Sequence, residues 1–447
     1  MSKGKLLFVF LFFVVATFFS QRTTIYIEQD RDYKTAINLF EKKQFNAALR
    51  TFDNYVKRSD NSLVGIDAEF YAAACAIELF HKDGEWRMKE FIKKHPESIK
   101  IKQAHFYLGK SNFRKKKYEE TIQFLEQVDI YELEKDELAE LYFKRGYSYL
   151  ETGKNEKAKQ DFFEIKDVDN KYAHPANYYY SHISYLEKNY ATAVEGFLRL
   201  TNNETFGSVV PFYISQIYFL QGKYDEVIKI APPLLNDSNF VQKREEINQL
   251  IGESYFKLKD YKNSLPYLSK HGASTAHENY QLAFAHFKTD NCVAAIPYFE
   301  NATANEDSIA QSAFYHLAGC YIKLNQKTKA RSCFFNAQKL SFDSIIKERS
   351  MYNFALLSYE QDFNPFSESV YAFNNYITNY PNSPQKDEAY TYLVNCFYLT
   401  KNYSQAISVV EKINSPDPVL KQIYQKMLYF KGVEFYNNIQ IIYYVIH

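Results

Sequence analysis

The chain has 447 residues, of which 46% are hydrophobic and 24% are charged, a balance typical of a folded protein. At this length one hydrophobic core stops growing, so the chain must divide into domains or extend by repeating a unit. Its 54 basic and 53 acidic residues leave a net charge of +1, which disfavours a polyanionic partner. We therefore expect no nucleic-acid binding.

The N-terminal segment has the pattern of a secretory signal. Lys3 and Lys5 precede an unbroken apolar run over 6–16. A positive start and an apolar core this short indicate a signal peptide, because a membrane span needs about 20 apolar residues. We predict a signal peptide or N-terminal anchor at 1–20 and a linker at 21–30. We expect an exported, periplasmic or envelope-associated protein that meets the membrane only through this segment, if it is not cleaved.

From residue 31 one segment keeps returning, for example YLGKSNFRKKKYEETIQFL at 107–125 and LIGESYFKLKDYKNSLPYL at 250–268. Each copy has a small residue, a second small residue twelve positions later and a bulky one after four more. Self-similarity at a fixed period predicts a repeat architecture. The first small position is assigned to Ala36, Ala73, Gly109, Gly146, His182, Ser215, Gly252, Ala283, Ala318, Ala355, Asn395 and Gly432.

Each copy reads as two amphipathic helices joined by a short polar turn, such as KKKY, TGKN or TKNY. Gly, Asn and Lys suit a helix C-terminus, where left-handed backbone and positive charge are favoured. Two helices cross closely only where side chains are short. We therefore predict that helices cross at Gly109, Gly146, Gly252, Ala283, Ala318 and Ala355.

This pattern of small and bulky positions resembles the tetratricopeptide repeat (TPR) family, over about twelve units and residues 31–436. The resemblance implies an all-α fold, a right-handed α-solenoid whose first helices line a concave face. His182 and Asn395 depart from the family, which has Gly or Ala there. The repeat style and the signal segment look like exported TPR proteins of Gram-negative bacteria. KGVEFYNN at 431–438 opens a last unit and supplies its turn, so 437–447 is predicted to be an incomplete repeat with an apolar tail.

Three residues before the small position, eleven of twelve copies carry an aromatic residue. In one interpretation this row is a buried ladder between first helices; in the other it floors a groove for a peptide. The candidate groove residues are Phe106, Phe143, Tyr179, Phe212, Tyr280, Tyr315, Tyr352 and Tyr392. Charges predicted to face the groove, such as Lys110 and Glu253, are mixed in sign, so no basic clamp is expected.

Catalytic and metal-binding patterns are missing from the sequence: it has no phosphate-binding loop, nucleophile elbow or paired metal-ligand histidines. We expect no enzyme activity, cofactor or metal. The five cysteines read as buried thiols, although Cys320 and Cys333 lie on the two helices of one unit and a disulfide between them is an alternative.

Two functional hypotheses follow. In the first, the chain is an exported scaffold that binds protein or peptide partners on its concave face, within a larger envelope assembly or a gliding or secretion apparatus. In the second, it is the N-terminal arm of a longer envelope enzyme or membrane-linked sensor.

Overall fold

The structure is a computed structural model that describes residues 31–59, 62–361, 368–413 and 418–446. Within these ranges every regular element is a helix and none is a strand. The predicted all-α fold is therefore confirmed there. The predicted signal segment at 1–20 and linker at 21–30 lie outside the described residues. In the described ranges no helix combines the length and apolar character needed to cross a membrane.

Helices follow one another as antiparallel pairs because each turn stops one helix and starts the next. After Arg114, Lys116 adopts a left-handed conformation with φ +57°. The amide of Lys116 then donates to Phe113 O (2.9 Å) and that of Lys117 to Asn112 O (3.0 Å). These two bonds satisfy the last carbonyls of the first helix, and the chain can reverse at once.

The chain forms two compact units that divide between Ile214 and Ser215. The first unit contains five consecutive helix pairs and a 3₁₀ turn at Ile130–Glu132. Its helices are α1 (31–41), α2 (Phe45–Val56), α3 (Leu63–Glu78), α4 (Gly84–Lys94), α5 (Ile101–Arg114), α6 (Tyr118–Leu125), α7 (Lys135–Glu151), α8 (Asn155–Ile165), α9 (Ala173–Leu186) and α10 (Tyr190–Leu198). The boundary falls inside α11 (Val210–Leu220).

The second unit continues the same alternation, with two 3₁₀ segments at Pro232–Asn236 and Ser238–Lys243. Its helices are α12 (Tyr224–Ile230), α13 (Arg244–Lys257), α14 (Tyr261–His271), α15 (Ala276–Lys288), α16 (Cys292–Asn301), α17 (Ser308–Lys323), α18 (Lys327–Lys339), α19 (Ser344–Gln361), α20 (Glu368–Asn379), α21 (Lys386–Leu399), α22 (Tyr403–Val410) and α23 (Pro418–Ile446).

Within each unit the core is an uninterrupted series of contacts between consecutive helices, as in an α-solenoid. Bulky side chains of the second helices, among them Phe52, Phe162 and Phe299, are completely buried between one pair and the next. Because no pair can bury its apolar stripe alone, stability depends on stacking against neighbouring pairs.

The turn predicted within KGVEFYNN is wrong. Helix α23 runs from Pro418 to Ile446 and passes through 437–438 without a break. Asn437 and Asn438 suit a turn, but the apolar residues after them are compatible with a helix. The sequence pattern therefore overestimated how strongly two asparagines end a helix.

Candidate partner-binding face

The turns fix the register of the helix pairs more firmly than the small residues do. In the described part of the chain, ten turns between the two helices of a pair each contain one left-handed residue, and each such residue lies seven positions after a buried Gly, Ala, Ser or Val. Gly272, which also has a positive φ, follows the second helix of a pair and lies outside this set. The left-handed residues are Lys43, Phe80, Lys116, Gly153, Lys188, Gly222, Lys259, Asp290, Asn325 and Lys401.

This register corrects two assignments of the small position. Counting back from Lys188 gives Ser181, not His182, and counting back from Lys401 gives Val394, not Asn395. Ser181 is fully buried and lies against Gly196 of α10, while Val394 is fully buried. His182 and Asn395 are only partly buried. The two departures from the repeat pattern were therefore one-residue errors of alignment.

The glycines among the predicted crossing residues lie where the two helices of a pair are in contact. A Cβ atom at Gly252 would lie 2.8 Å from Leu268 Cδ2, and one at Gly146 would lie 3.1 Å from a ring carbon of Phe162. A Cβ at Gly109 would clash with the Leu125 side chain in the same way. In each case the contact is with the residue sixteen positions later. Ala283, Ala318 and Ala355 are completely buried.

The aromatic row divides once the register is corrected. We call the position three residues before the small residue the ladder position. Phe106 and Phe212 occupy it and are each 1% exposed, so neither can contact a partner. Both are removed from the candidate groove residues. Phe143 is half-buried, but the ring of Tyr172 stacks on it with centroids 4.8 Å apart.

Tyr179 and Tyr392 do not belong to the ladder position. They lie one residue later, two before the small residue, which we call the stacking position. Residues there stack on the second helix of the preceding pair, with interplanar angles of 11–23°. The stacked pairs are Tyr71 on Phe52, Tyr179 on Phe162, Tyr213 on Phe197, His316 on Phe299 and Tyr392 on Phe373. Sequence analysis missed this row, although the same turns that correct the register would have revealed it.

Tyr280, Tyr315 and Tyr352 remain at the ladder position, half-buried on α15, α17 and α19. The hydroxyls of two of them lie near polar side chains of the next first helix, Tyr280 near Ser312 and Tyr352 near Glu388. Burial raises the pKa of Tyr280 to about 12. Within the described residues the Tyr315 hydroxyl has no hydrogen-bond partner. The ladder tyrosines thus lie between consecutive first helices, and each half-buried ring keeps one edge accessible to solvent.

Lys110, predicted to face the groove, is buried instead. Its ammonium group forms ion pairs with Glu78 of α3 and with Glu140 of α7 (3.3 Å), and Glu140 also binds Lys144 at 2.8 Å. The Lys110 ammonium lies 5.2 Å above the Phe106 ring. Burial alone would raise the pKa of Glu140, but Lys110 and Lys144 outweigh it and lower that pKa. The first-helix face of α3, α5 and α7 is therefore covered by its own ion pairs.

All five cysteines are buried thiols outside any disulfide, as the sequence predicts. The alternative disulfide between Cys320 and Cys333 does not form. The Cys320 thiol instead lies near Cys292, and burial together with this neighbour raises the pKa of Cys320. Among the residues that the structure describes, no cluster of His, Cys, Asp and Glu is arranged to hold a metal ion.

Comparison with solved structures finds helical repeat proteins. One, a tetratricopeptide repeat protein from Parabacteroides merdae, is 16% identical, covers 56% of this chain and 98% of its own, and has a TM-score of 0.32. YrrB, described as a TPR protein with an unusual peptide-binding site, is 14% identical over 44% of this chain and 98% of its own, with a TM-score of 0.36. A chain from the structure of Naa15/Naa10 bound to HypK-THB is 12% identical, covers 90% of this chain and 65% of its own, and has a TM-score of 0.39. Structural similarity at these TM-scores supports no conclusion about function.

Sequence comparison is more specific. No protein of curated function matches the chain. Residues 139–171, which include most of α7 and all of α8, match the tetratricopeptide repeat. The small residue of that pair is Gly146, and the same spacing from small residue to left-handed turn recurs in nine other pairs of the described chain. The helix pair α7–α8 therefore matches a tetratricopeptide repeat, and the described chain repeats the spacing of that pair.

Proposed function

We propose that this chain is a non-catalytic scaffold that binds an extended segment of a partner protein along the first helices α15, α17 and α19. The observation that carries the proposal is the set of half-buried ladder tyrosines Tyr280, Tyr315 and Tyr352, which occupy equivalent places on consecutive first helices. A row of this kind matches the spacing of an extended chain better than that of a compact ligand.

The physical basis is the large contact area of tyrosine. A held ring buries much apolar surface while losing little side-chain entropy, and this makes tyrosine a frequent anchor in interfaces. The Tyr280 and Tyr352 rings are already half-buried and packed against the core, so binding would have little side-chain freedom left to order. The Tyr315 hydroxyl, which has no hydrogen-bond partner within the described residues, can form a hydrogen bond with a partner protein.

The cellular setting is part of the proposal. The positive start and apolar run at 1–20 support export, and the repeat architecture supports a role in an envelope assembly or in a gliding or secretion apparatus. Fractionation of cells that express the full chain, with N-terminal sequencing of the product, tests the first point. Recovery of an intact N-terminus in the cytosolic fraction would contradict export.

The binding proposal is tested with single Tyr→Ser variants at 280, 315 and 352, used as bait for envelope extracts after cross-linking. We expect each to recover less partner, with the clearest result for Tyr315→Ser, because that hydroxyl bridges no helices. Tyr371→Ser is the matched control, since Tyr371 is exposed on the second helix α20. If Tyr315→Ser lowers the melting temperature but recovers as much partner as Tyr371→Ser, the ladder is only structural.

A further inference from the structure

A pocket of about 230 Å³ lies in the first unit, whereas the ladder tyrosines Tyr280, Tyr315 and Tyr352 belong to the second. Helices α2, α3 and α4 line it. Its floor includes the buried Phe91, and its mouth includes Trp86, the single tryptophan of the chain, whose side chain is 63% exposed. A large, exposed indole beside a concave surface is uncommon, because burying an aromatic ring of this size is favourable.

The charges around the pocket do not balance. Four carboxylates line it, from Asp53, Glu69, Asp83 and Glu90, against two cationic side chains. One of these, Arg87, is already held by Asp53 (2.9 Å) and Asp83 (2.6 Å). The pocket therefore has an excess of negative charge and repels an anionic ligand.

Glu90 is the carboxylate best placed to act on a ligand. Glu69 is engaged by the Nε2 atom of His95 at 3.1 Å, whereas Glu90 makes no ion pair with any residue that the structure describes. Glu90 follows Trp86 by four residues on α4, so both side chains lie on one face of that helix. The second cation, Lys94, lies one turn further along the same face and is exposed.

From this geometry we propose that the pocket binds a basic side chain, arginine or lysine, of a partner protein. The planar face of Trp86 attracts a cation placed over it, and tryptophan is the most effective side chain for this contact. Glu90 supplies the countercharge, and Phe91 contacts the aliphatic stem. The pocket is a second contact surface, and it is independent of the ladder.

The single tryptophan makes the test direct, because its fluorescence reports this pocket alone. Two capped five-residue peptides, Gly-Ser-Arg-Ser-Gly and Gly-Ser-Glu-Ser-Gly, are titrated into the full chain. We expect a saturable change in Trp86 emission with the arginine peptide, in the millimolar range of one cation–π contact and one exposed ion pair, and none with the glutamate peptide. Equal changes with both peptides would overturn the proposal.

Variants locate the contact. Glu90→Gln is expected to weaken binding of the arginine peptide about fivefold. Glu204→Gln, which neutralises an exposed carboxylate outside the pocket, should leave binding unchanged. Equal affinities of the two variants would refute the role of Glu90. Spermidine tests whether the natural ligand is a free polyamine. If spermidine binds more tightly than the arginine peptide, the pocket takes a polyamine and the assignment to a protein side chain fails.

Discussion

Two groups of first helices share the same repeat register, but one carries charged side chains on its face and the other carries aromatic side chains. On α3, α5 and α7 the face is closed by buried ion pairs around Lys110, Glu140 and Lys144. On α15, α17 and α19 it consists of aromatic rings around His316, with lysines only at the exposed edge. We call these the ionic region and the aromatic region.

The difference shows where partner binding should be sought. In the ionic region the charges that could attract a partner are already neutralised within the chain, and the ladder residue Phe106 is buried beneath Lys110. In the aromatic region the ladder rings keep an accessible edge, and Lys288 and Lys323 stay exposed beside Phe284 and Phe287. The repeat register fixes the helix packing but leaves this surface free to vary.

The largest expected effect comes from breaking the ionic region. Glu140→Gln leaves Lys110 and Lys144 without their shared carboxylate, and we expect a loss of about 3 kcal/mol in the free energy of unfolding, because an unpaired buried charge is costly. Asp290→Asn removes the carboxylate that pairs with Lys323 at 2.6 Å in the aromatic region. That pair is exposed, so no measurable loss is expected. Urea unfolding of both variants makes the comparison, and equal losses would mean that the ionic region is not specially stabilised.

The next largest effect concerns pH: acid should destabilise the aromatic region before it destabilises the ionic region. Burial, with a smaller contribution from Lys288, lowers the pKa of His316 from 6.5 to about 4. Between these pH values His316 is protonated in the unfolded chain but neutral in the folded chain. Its contribution to the free energy of unfolding is therefore complete above pH 6.5 and falls as the pH drops towards 4. The loss is up to about 3 kcal/mol. The Glu140 contribution, from a lowered pKa, persists down to pH 4.5 and is lost only below it.

Hydrogen exchange at pH 7.5 and pH 5, corrected for intrinsic rates, tests this order. We expect a larger loss of protection at pH 5 in α15–α17 than in α5–α7, where burial also lowers the pKa of His105. His316→Phe keeps a ring to stack on Phe299 and should reduce the loss, leaving the part that comes from the partly buried His286 on α15, whereas His174→Gln, at an exposed site, should not reduce it. An equal loss of protection in both regions of the unaltered chain would argue against His316 as the main cause.

The small positions test whether one register builds both regions. Gly109→Leu and Ala318→Leu place a large side chain in a helix crossing, one in each region, and each should cost about 1–3 kcal/mol through overpacking. Gly432→Leu is the control, because no described atom lies within 4 Å of a Cβ at that site. Thermal unfolding monitored by circular dichroism gives the three values. A large loss for Gly109→Leu alone would show that the two regions do not share a crossing geometry.

Much of this fold could be predicted from the sequence because its determinants are local. Gly, Asn and Lys mark the turns, and Gly109, Gly146 and Gly252 mark close helix contacts. The register failed where local cues were ambiguous. In the run Tyr178–Tyr180 any of three aromatics fits the ladder position, and only the left-handed Lys188 decides between them.

The surfaces could not be predicted in the same way because they depend on partners distant in sequence. Lys110 binds residues 32 positions before it and 30 after it, and no spacing rule selects Glu78 and Glu140 from the other acidic residues. The pocket beside Trp86 likewise combines three helices. Sequence reasoning therefore located the helix contacts well and the exposed chemistry poorly.

The smallest expected effect lies within the aromatic region. Tyr352→Phe removes the hydroxyl that lies near Glu388 on the next first helix, and we expect a loss of about 1 kcal/mol in stability. Tyr315→Phe removes a hydroxyl with no partner in the described chain and should leave stability unchanged. If partner recovery nevertheless falls for Tyr315→Phe, the free hydroxyl is a binding group. If stability falls equally for both variants, the ladder acts through packing of its rings, and the aromatic region resembles the ionic one in serving the fold first.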